Sequence, residues 1–410
     1  MKILIVNKYW YPRGGADIYA LWLADALHRA GHEVRVFTVD DKRNISSKFP
    51  MTTVSAVETE RLSMIHAPRT MMRMLWSFEA VRKMKELVKE WRPDIVHLHN
   101  IYTQMSPSIL PVLRERKIQT VMTVHDWNLL SANYALFDRE GIDRNGSWWS
   151  VIKRRGVKDS FLASVIAAKV HSFHSFLRVH ERTINRLIFT SEFAKKLFRA
   201  KGWRGDAGVV IPYVIDLAGV DITEKRDLGY FLFVGRLHET KGAHILIEAA
   251  RKTGVMVKIV GDGPARERLK KQAGAMTNIE FLGARPRVET LELMRDARAV
   301  VVPSVWWEPF GLVALEPQGL GTAVIASDTG GLSEVVVHEQ TGLKVPPNDI
   351  DALANAMRYL ADNREVATRL GRLGKIRFGT QYTEKEHMRK LEEVYEEERI
   401  NRNTHEYAGI

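Results

Sequence analysis

Met1-Lys2-Ile3-Leu4-Ile5-Val6, then Gly14-Gly15, then Val34-Arg35-Val36-Phe37 is the passage that decides the fold. The first run is apolar and of strand length. Pro12 and the glycine pair make a loop after it. Residues 16–30 then carry Ala20, Leu23, Ala24 and Leu27 at the i, i+3, i+4, i+7 spacing of one helical face, and Gly31 ends the helix before the next strand. This is a βαβ unit, and its strands must lie parallel. Further strands are expected at Ile95-Val96-His97-Leu98 and at 120–124, with 186–190 as the last of the first half. A break is expected around 208–220. The pattern then restarts with Phe231-Leu232-Phe233-Val234, a helix over 245–253, Val257-Lys258-Ile259-Val260, Ile279-Glu280-Phe281-Leu282, Ala299-Val300-Val301-Val302 and Ala323-Val324-Ile325-Ala326. Two similar α/β halves make a cleft between domains the expected ligand site.

The length of 410 residues suits two or three domains, and 45% hydrophobic with 27% charged residues is a globular balance. The absence of cysteine excludes disulfides, thiolate nucleophiles and thiolate metal sites. The opening strand is too short for a signal-peptide core and no run is long enough to span a bilayer, so the cytoplasm is the expected compartment. The net charge of +12 is unevenly spread: residues 1–200 hold 32 Lys/Arg against 19 Asp/Glu, residues 201–410 hold 29 against 30, and residues 151–200 alone hold 11 against 3. That excess reads as a surface for an anionic partner, or as a solvated basic face. No nucleic-acid-binding motif accompanies it. Trp148-Trp149-Ser150-Val151-Ile152-Lys153-Arg154-Arg155 and Met71-Met72-Arg73-Met74-Leu75-Trp76 interleave apolar and basic residues, which fits an anionic membrane face or an acidic acceptor better.

The most informative candidate site is Glu308 with Glu316, separated by the end of one predicted strand and the start of a helix from Gly311. Ligands of open α/β sheets collect beyond the carboxyl ends of strands, and a helix start there favours an anion. Two carboxylates would repel a bare phosphate but accept hydrogen bonds from vicinal hydroxyls, and a sugar nucleotide carries both groups. Spacing alone leaves open two scaffold glutamates. Val234-Gly235-Arg236-Leu237 with Lys241-Gly242 places two cations at another strand-to-helix transition, where they suit a diphosphate or are merely solvated. Gly14-Gly15 sits where backbone N–H groups approach a phosphate, or forms a plain turn; it is not the G-x-G-x-x-G of dinucleotide sites. Val260-Gly261-Asp262-Gly263-Pro264 reads first as a structural turn. His125 ends a strand, where it serves a sugar hydroxyl or a proton transfer, or is a satisfied structural histidine. His97 and His99 share a strand face without an obvious third ligand. Asp349-x-Asp351 reads as an N-cap and a first-turn acid, so no metal is expected.

In this order along nearly the whole chain, these motifs, with Gly31-His32-Glu33-Val34, Glu308-x7-Glu316 and Gly330-Gly331-x-x-Glu334, resemble the family 4 retaining glycosyltransferases of the GT-B fold. The resemblance implies two Rossmann-like, doubly wound parallel-sheet domains facing each other across a cleft. The expected bounds are 1–210 for an acceptor-binding domain, 211–383 for a nucleotide-sugar-binding domain and 384–410 for a terminal helix packing back toward the first. It implies that Arg236 and Lys241 hold the donor diphosphate with backbone N–H groups at Gly14, Gly15, Gly311 and Leu312. Glu316 would accept from the ribose, Glu308 would bind the donor sugar, and His125 would lie beside the reacting sugar. The expected reaction is metal-independent hexosyl transfer from a nucleoside diphosphate sugar to a glycan, lipid-linked or other glycoconjugate acceptor, with retention, in surface polysaccharide assembly. No cofactor is expected beyond the donor, no nucleic acid, and peripheral contact of the basic half with an anionic membrane. The alternatives are a GT-B sugar-nucleotide epimerase and a non-catalytic sugar-nucleotide-binding protein. Two departures from the family pattern stand out: Pro212-Tyr213-Val214-Ile215-Asp216 at the hinge, and Pro317 after the second glutamate.

Overall fold

The structure is a computed structural model and describes residues 1–57, 67–103, 105–203, 208–217, 219–221 and 226–407, without the side chains of 67–69 and 402–407. Residues 408–410 of the expected terminal helix lie outside the described residues, as does Ala218 within the expected break. The chain forms two compact units. One comprises Met1–Thr190, Lys195–Ile211 and Met388–Ile410; the other comprises Ser191–Ala194 and Pro212–His387.

The chain opens with β1 (Lys2–Val6), α1 (Gly15–Arg29), β2 (Glu33–Asp40), β3 (Met51–Ser55), α2 (Ala67–Leu75) and α3 (Phe78–Glu90). There follow β4 (Ile95–Leu98), α4 (Leu110–Glu115), β5 (Gln119–Val124) and a small ribbon, β6 (Phe137–Asp138) with β7 (Gly141–Ile142). Next come α5 (Trp148–Lys153), α6 (Phe161–Leu177), β8 (Arg186–Phe189), α7 (Glu192–Ala200) and β9 (Gly208–Val210). The first sheet runs β3-β2-β1-β4-β5-β8-β9, with every pairing parallel. Its centre is dry: Ile3, Leu4, Ile5 and Val6 have no exposed surface, which is why that strand reads as an unbroken apolar run instead of an alternation.

Two strands escape the sequence patterns. Residues 208–210 were expected to open a break, yet they pair with β8 from Leu187↔Gly208 to Phe189↔Val210. Three residues are too few to show a period. Gly208 also allows the approach, since a Cβ there would lie 2.3 Å from the Phe189 ring. β3, Met-Thr-Thr-Val-Ser, is an edge strand with only Val54 buried, so its composition is that of a loop.

The second unit is built from β10 (Phe231–Val234), α8 (Ala243–Thr253), β11 (Val257–Val260), α9 (Arg266–Ala273), β12 (Ile279–Gly283) and α10 (Arg287–Asp296). It continues with β13 (Ala299–Val302), α11 (Leu312–Gly319), β14 (Ala323–Ser327), α12 (Leu332–Val335), β15 (Gly342–Val345), α13 (Ile350–Asp362) and α14 (Arg364–Gln381). Its sheet order, β12-β11-β10-β13-β14-β15, is wholly parallel and is the Rossmann order 3-2-1-4-5-6. The order reverses between β10 and β13, so the crevice at their carboxyl ends is where this architecture receives a ligand. Asp349 caps α13, accepting from the Ala352 N–H at 2.8 Å, and the exposed Asp351 pairs with Lys252.

The last helix, α15 (Glu384–Tyr407), belongs to the first unit from Met388 on. Tyr395 is fully buried there, with its hydroxyl 2.6 Å from His97 Nδ1 on β4. Arg186 at the start of β8 bonds Glu398 at 3.0 Å. Tyr395→Phe removes the hydroxyl, keeps the ring and leaves a buried imidazole nitrogen unsatisfied. It should therefore cost about 1–3 kcal/mol of first-unit stability in a denaturant titration; an unchanged midpoint would show that this bond holds nothing.

Candidate active site

In the second unit the loops after β10 and β13 are fastened together. His238 Nδ1 accepts from the Thr240 N–H at 3.3 Å, capping a short 3-10 turn over Glu239–Lys241. The Thr240 carbonyl in turn accepts from the Val305 N–H at 2.9 Å. Gly242 follows at φ +70, and a Cβ there would stand 1.8 Å from the Pro303 carbonyl oxygen. Only glycine fits that contact and that angle together. The approach brings Lys241 Nζ to 2.5 Å from Glu308 Oε1, which also accepts from Ser304 Oγ at 2.9 Å. Glu308 is 6% exposed, so its carboxylate has exchanged water for an ammonium and a hydroxyl. Trp306 completes the wall: Lys241 Nζ lies 5.1 Å from its ring centroid, and its indole N–H is buried without an acceptor among the described residues.

Arg236 stands on the same loop, exposed, and its guanidinium has no hydrogen bond or ion pair among the described residues. The β11–α9 turn holds the loop from behind. The Leu237 N–H donates to the Asp262 carbonyl at 2.9 Å, and a Cβ on Gly261 would lie 1.9 Å from the Gly235 carbonyl oxygen. The glycines of Val260-Gly261-Asp262-Gly263-Pro264 thus serve close backbone packing. Gly331 donates to the Glu308 carbonyl at 2.7 Å, and Glu334 accepts from the backbone N–H groups of Glu192 and Phe193 at 2.8 and 2.5 Å.

Gly311 precedes α11, whose first-turn N–H groups at Leu312 and Val313 have no acceptor within the helix. Glu316 lies one turn on. Its Oε1 accepts from Arg287 Nη1 at 2.7 Å, while Arg287 Nη2 donates to the Asp216 carbonyl at 2.9 Å. Burial raises the Glu316 pKa above the ordinary carboxylate value, and Arg287 opposes that shift. Pro317 sits inside the helix and removes the N–H that would have bonded the Val313 carbonyl. The structure therefore joins Lys241 directly to Glu308 and gives Glu316 a different cation. Sequence reasoning missed Ser304 and Arg287. Arg287 is 29 residues from Glu316 on a different helix, so no local pattern connects them.

In the first unit, Gly14 is the N-cap of α1 in extended conformation and Gly15 its first residue, directly beyond β1. His125 follows β5, with Nε2 2.8 Å from His99 Nδ1, and its ring is 5.1 Å from that of His99. His99 in turn stacks on His97 at 4.4 Å. Burial pushes His125 down to about 3, and burial together with the neighbouring imidazoles holds His99 well below the ordinary value. His125 is therefore neutral at physiological pH, able to donate through one nitrogen and accept through the other but not to act as a proton source. Asp126 beside it is raised to about 6 by burial.

Two outcomes follow. Gly242→Ala should cost about 3 kcal/mol in thermal or denaturant unfolding, since it combines a strained φ with a backbone clash; a neutral substitution would mean that the two loops are not locked. Acid should also destabilise the first unit. Between the folded values of about 3 for His125 and His180 and the ordinary 6.5, the unfolded chain binds protons that the folded chain refuses, so stability falls as pH drops through that window. Asp126 acts oppositely between 3.8 and about 6, as does Asp17, which burial also raises, but they are two carboxyls against these histidines, His99, His171 and His174, all lowered. A melting temperature that stays level or rises from pH 7 to 4 would contradict this balance.

Comparison with known proteins agrees with this fold. Residues 220–377 match the family Glycosyl transferases group 1, and residues 14–214 match the Glycosyl transferase 4-like domain. The chain is 30% identical over 414 residues to a glycogen synthase of Mycobacterium tuberculosis, covering 93% of this chain and 91% of that protein. It is 25% identical over 404 residues to the O-antigen chain mannosyltransferase C of Escherichia coli, covering 93% and 95%. Among solved structures, the sucrose-phosphate synthase of Thermosynechococcus elongatus superimposes with a TM-score of 0.73 at 22% identity, over 97% of this chain and 98% of that one. With its two parallel Rossmann-like sheets and its ordered motifs, the chain belongs to the family 4 glycosyltransferases of the GT-B fold.

Proposed function

We propose that this glycosyltransferase transfers a hexose from a nucleoside diphosphate sugar, with retention and without a metal, to a glycan or lipid-linked acceptor in surface polysaccharide assembly. The observation that carries the reading is the Lys241–Glu308 pair at the carboxyl ends of adjacent strands, beside the unpartnered Arg236 guanidinium. A diphosphate leaving group needs positive charge where its negative charge develops, and Arg236 and Lys241 supply it, with the α11 N–H groups adding their dipoles. Glu308 accepts from hydroxyls of the hexose and Glu316 from the ribose, each carboxylate being steadied by its own cation. In the first unit, the neutral His125 exchanges hydrogen bonds with a sugar hydroxyl, and the N–H groups at Gly14-Gly15 receive an anionic group. In the step itself, the acceptor oxygen bonds to the anomeric carbon while the bond to the β-phosphate oxygen breaks. The acceptor proton passes to the departing phosphate. Neither glutamate forms a covalent intermediate, so the carboxylate separations of glycosidases do not apply. The positive excess of the first 200 residues and the O-antigen relative support an anionic, lipid-linked acceptor in the first unit.

Lys241→Ala should lower turnover by about a thousandfold and, by leaving Glu308 buried with only Ser304, lower the melting temperature as well. The double substitution Lys241→Ala with Glu308→Gln should recover the melting temperature but not the activity. Full activity in either variant would remove the diphosphate assignment. Product analysis with UDP, GDP and dTDP sugars, with and without EDTA, separates transfer from donor isomerisation and from binding without turnover. Stabilisation of the folded chain by one of the free nucleotides identifies the donor base.

A further inference from the structure

We infer that the outer face of the α5–α6 hairpin is a docking surface for an anionic lipid bilayer. α6 has 17 residues and a single charged one, Lys169. One side is accounted for: Ile166 and Val170 pack with Met74 of α2 in a small buried cluster, and Ala163, Ser164 and His174 are buried beside them. The other side is uncovered and largely apolar, with Phe161 60%, Leu162 41%, Phe173 38% and Phe176 84% exposed among the exposed Lys169, Ser172 and Ser175. Large apolar side chains in this number on a helix ordinarily face a covered surface. The neighbouring α5 packs on α6 and opens with Trp148 and Trp149, 56% and 65% exposed. Ser147, immediately before them, lines one cavity of about 350 Å³ with Val170 and His174, so α5 begins beside the later turns of α6.

Charge selects the occupant. Residues 148–182 hold seven Lys/Arg against two acids, and both acids are engaged, Asp159 with Arg139 and Glu181 with Arg178. Lys153, Arg155 and Lys169 are exposed with no ion pair among the described residues. A second copy of the chain would bring the same positive surface against itself. Anionic headgroups offer the complement, the indoles match the interfacial layer, and the phenylalanines enter the acyl boundary. At 1.5 Å per residue α6 is about 25 Å long, short of the ~20 apolar residues that span a bilayer, so it lies along the surface. No helix among the described residues is long and apolar enough to cross a membrane.

The test is flotation of the full chain with phosphatidylcholine vesicles and with phosphatidylcholine–phosphatidylglycerol vesicles, in the absence of any sugar donor. The outcome is thus independent of the proposed transfer reaction. The chain should float only with the anionic vesicles, and raised salt should release it. The double substitution Phe173→Ser with Phe176→Ser, and separately Lys153→Glu with Arg155→Glu, should each weaken partition about tenfold. Circular dichroism and stabilisation by free nucleotide should stay unchanged in both. The proposal is overturned if anionic vesicles leave the chain in solution, or if both variants float as the parent does. It is overturned too if light scattering shows a dimer that Phe176→Ser dissolves, since a second copy would then cover this face.

Discussion

A carboxylate with 6% of its surface in water needs a partner, and the meeting of Glu308 with Lys241 is the constraint on which the second unit turns. Removing a carboxylate from water costs several kcal/mol unless a cation and hydrogen bonds replace the solvent. Here the replacement comes from two loops that sequence separates by 67 residues. Everything around them serves that approach: a glycine where no other residue fits, a backbone bond from Val305 to Thr240, and a histidine capping the turn that carries the lysine. The sheet order dictates the location. Because β10 and β13 are neighbours whose connections leave in opposite directions, their carboxyl ends form a crevice that helices do not fill.

The first unit handles its buried polar groups differently. A stack of three imidazoles, His97, His99 and His125, runs across β4 and β5, and burial keeps His99 and His125 uncharged. His97 is held by hydroxyls, with Tyr395 on one nitrogen and Thr123 on the other. One end of the network is thus anchored in α15, and the other is the histidine that the motif pattern had marked as functional. Candidate site and scaffold are continuous at this point, and His125 is positioned by residues whose own role is packing.

Most of the fold was legible because a strand buried on both faces has to be a nearly unbroken apolar run, as β10 and β13 are throughout and β1 and β14 are apart from one polar end residue, while β11 admits a single lysine, Lys258. β9 and β3 were not, being a three-residue edge strand and a strand made largely of Thr and Ser. The candidate site was legible only as a set of residue types at strand ends, with Arg236, Lys241, Glu308 and Glu316 all falling on one unit. Its pairing was not. Sequence reasoning assigned Lys241 to a phosphate and Glu308 to a sugar as separate tasks, whereas burial makes each the other's counter-ion. Arg287 escaped notice altogether, because an arginine opening a helix is ordinary until the fold sets a carboxylate beside it.

The descent of the last helix into the first unit bears on the order in which the molecule is made. β4 emerges from the ribosome nearly three hundred residues before Tyr395, the residue that occupies its buried histidine. The second unit, whose sequence apart from four residues is the single run Pro212–His387, is fully synthesised in the meantime. Synthesis usually favours completion from the amino end. Here the domain begun first is the one finished last, and during that interval the His97 ring lacks the Tyr395 hydroxyl that its Nδ1 will meet.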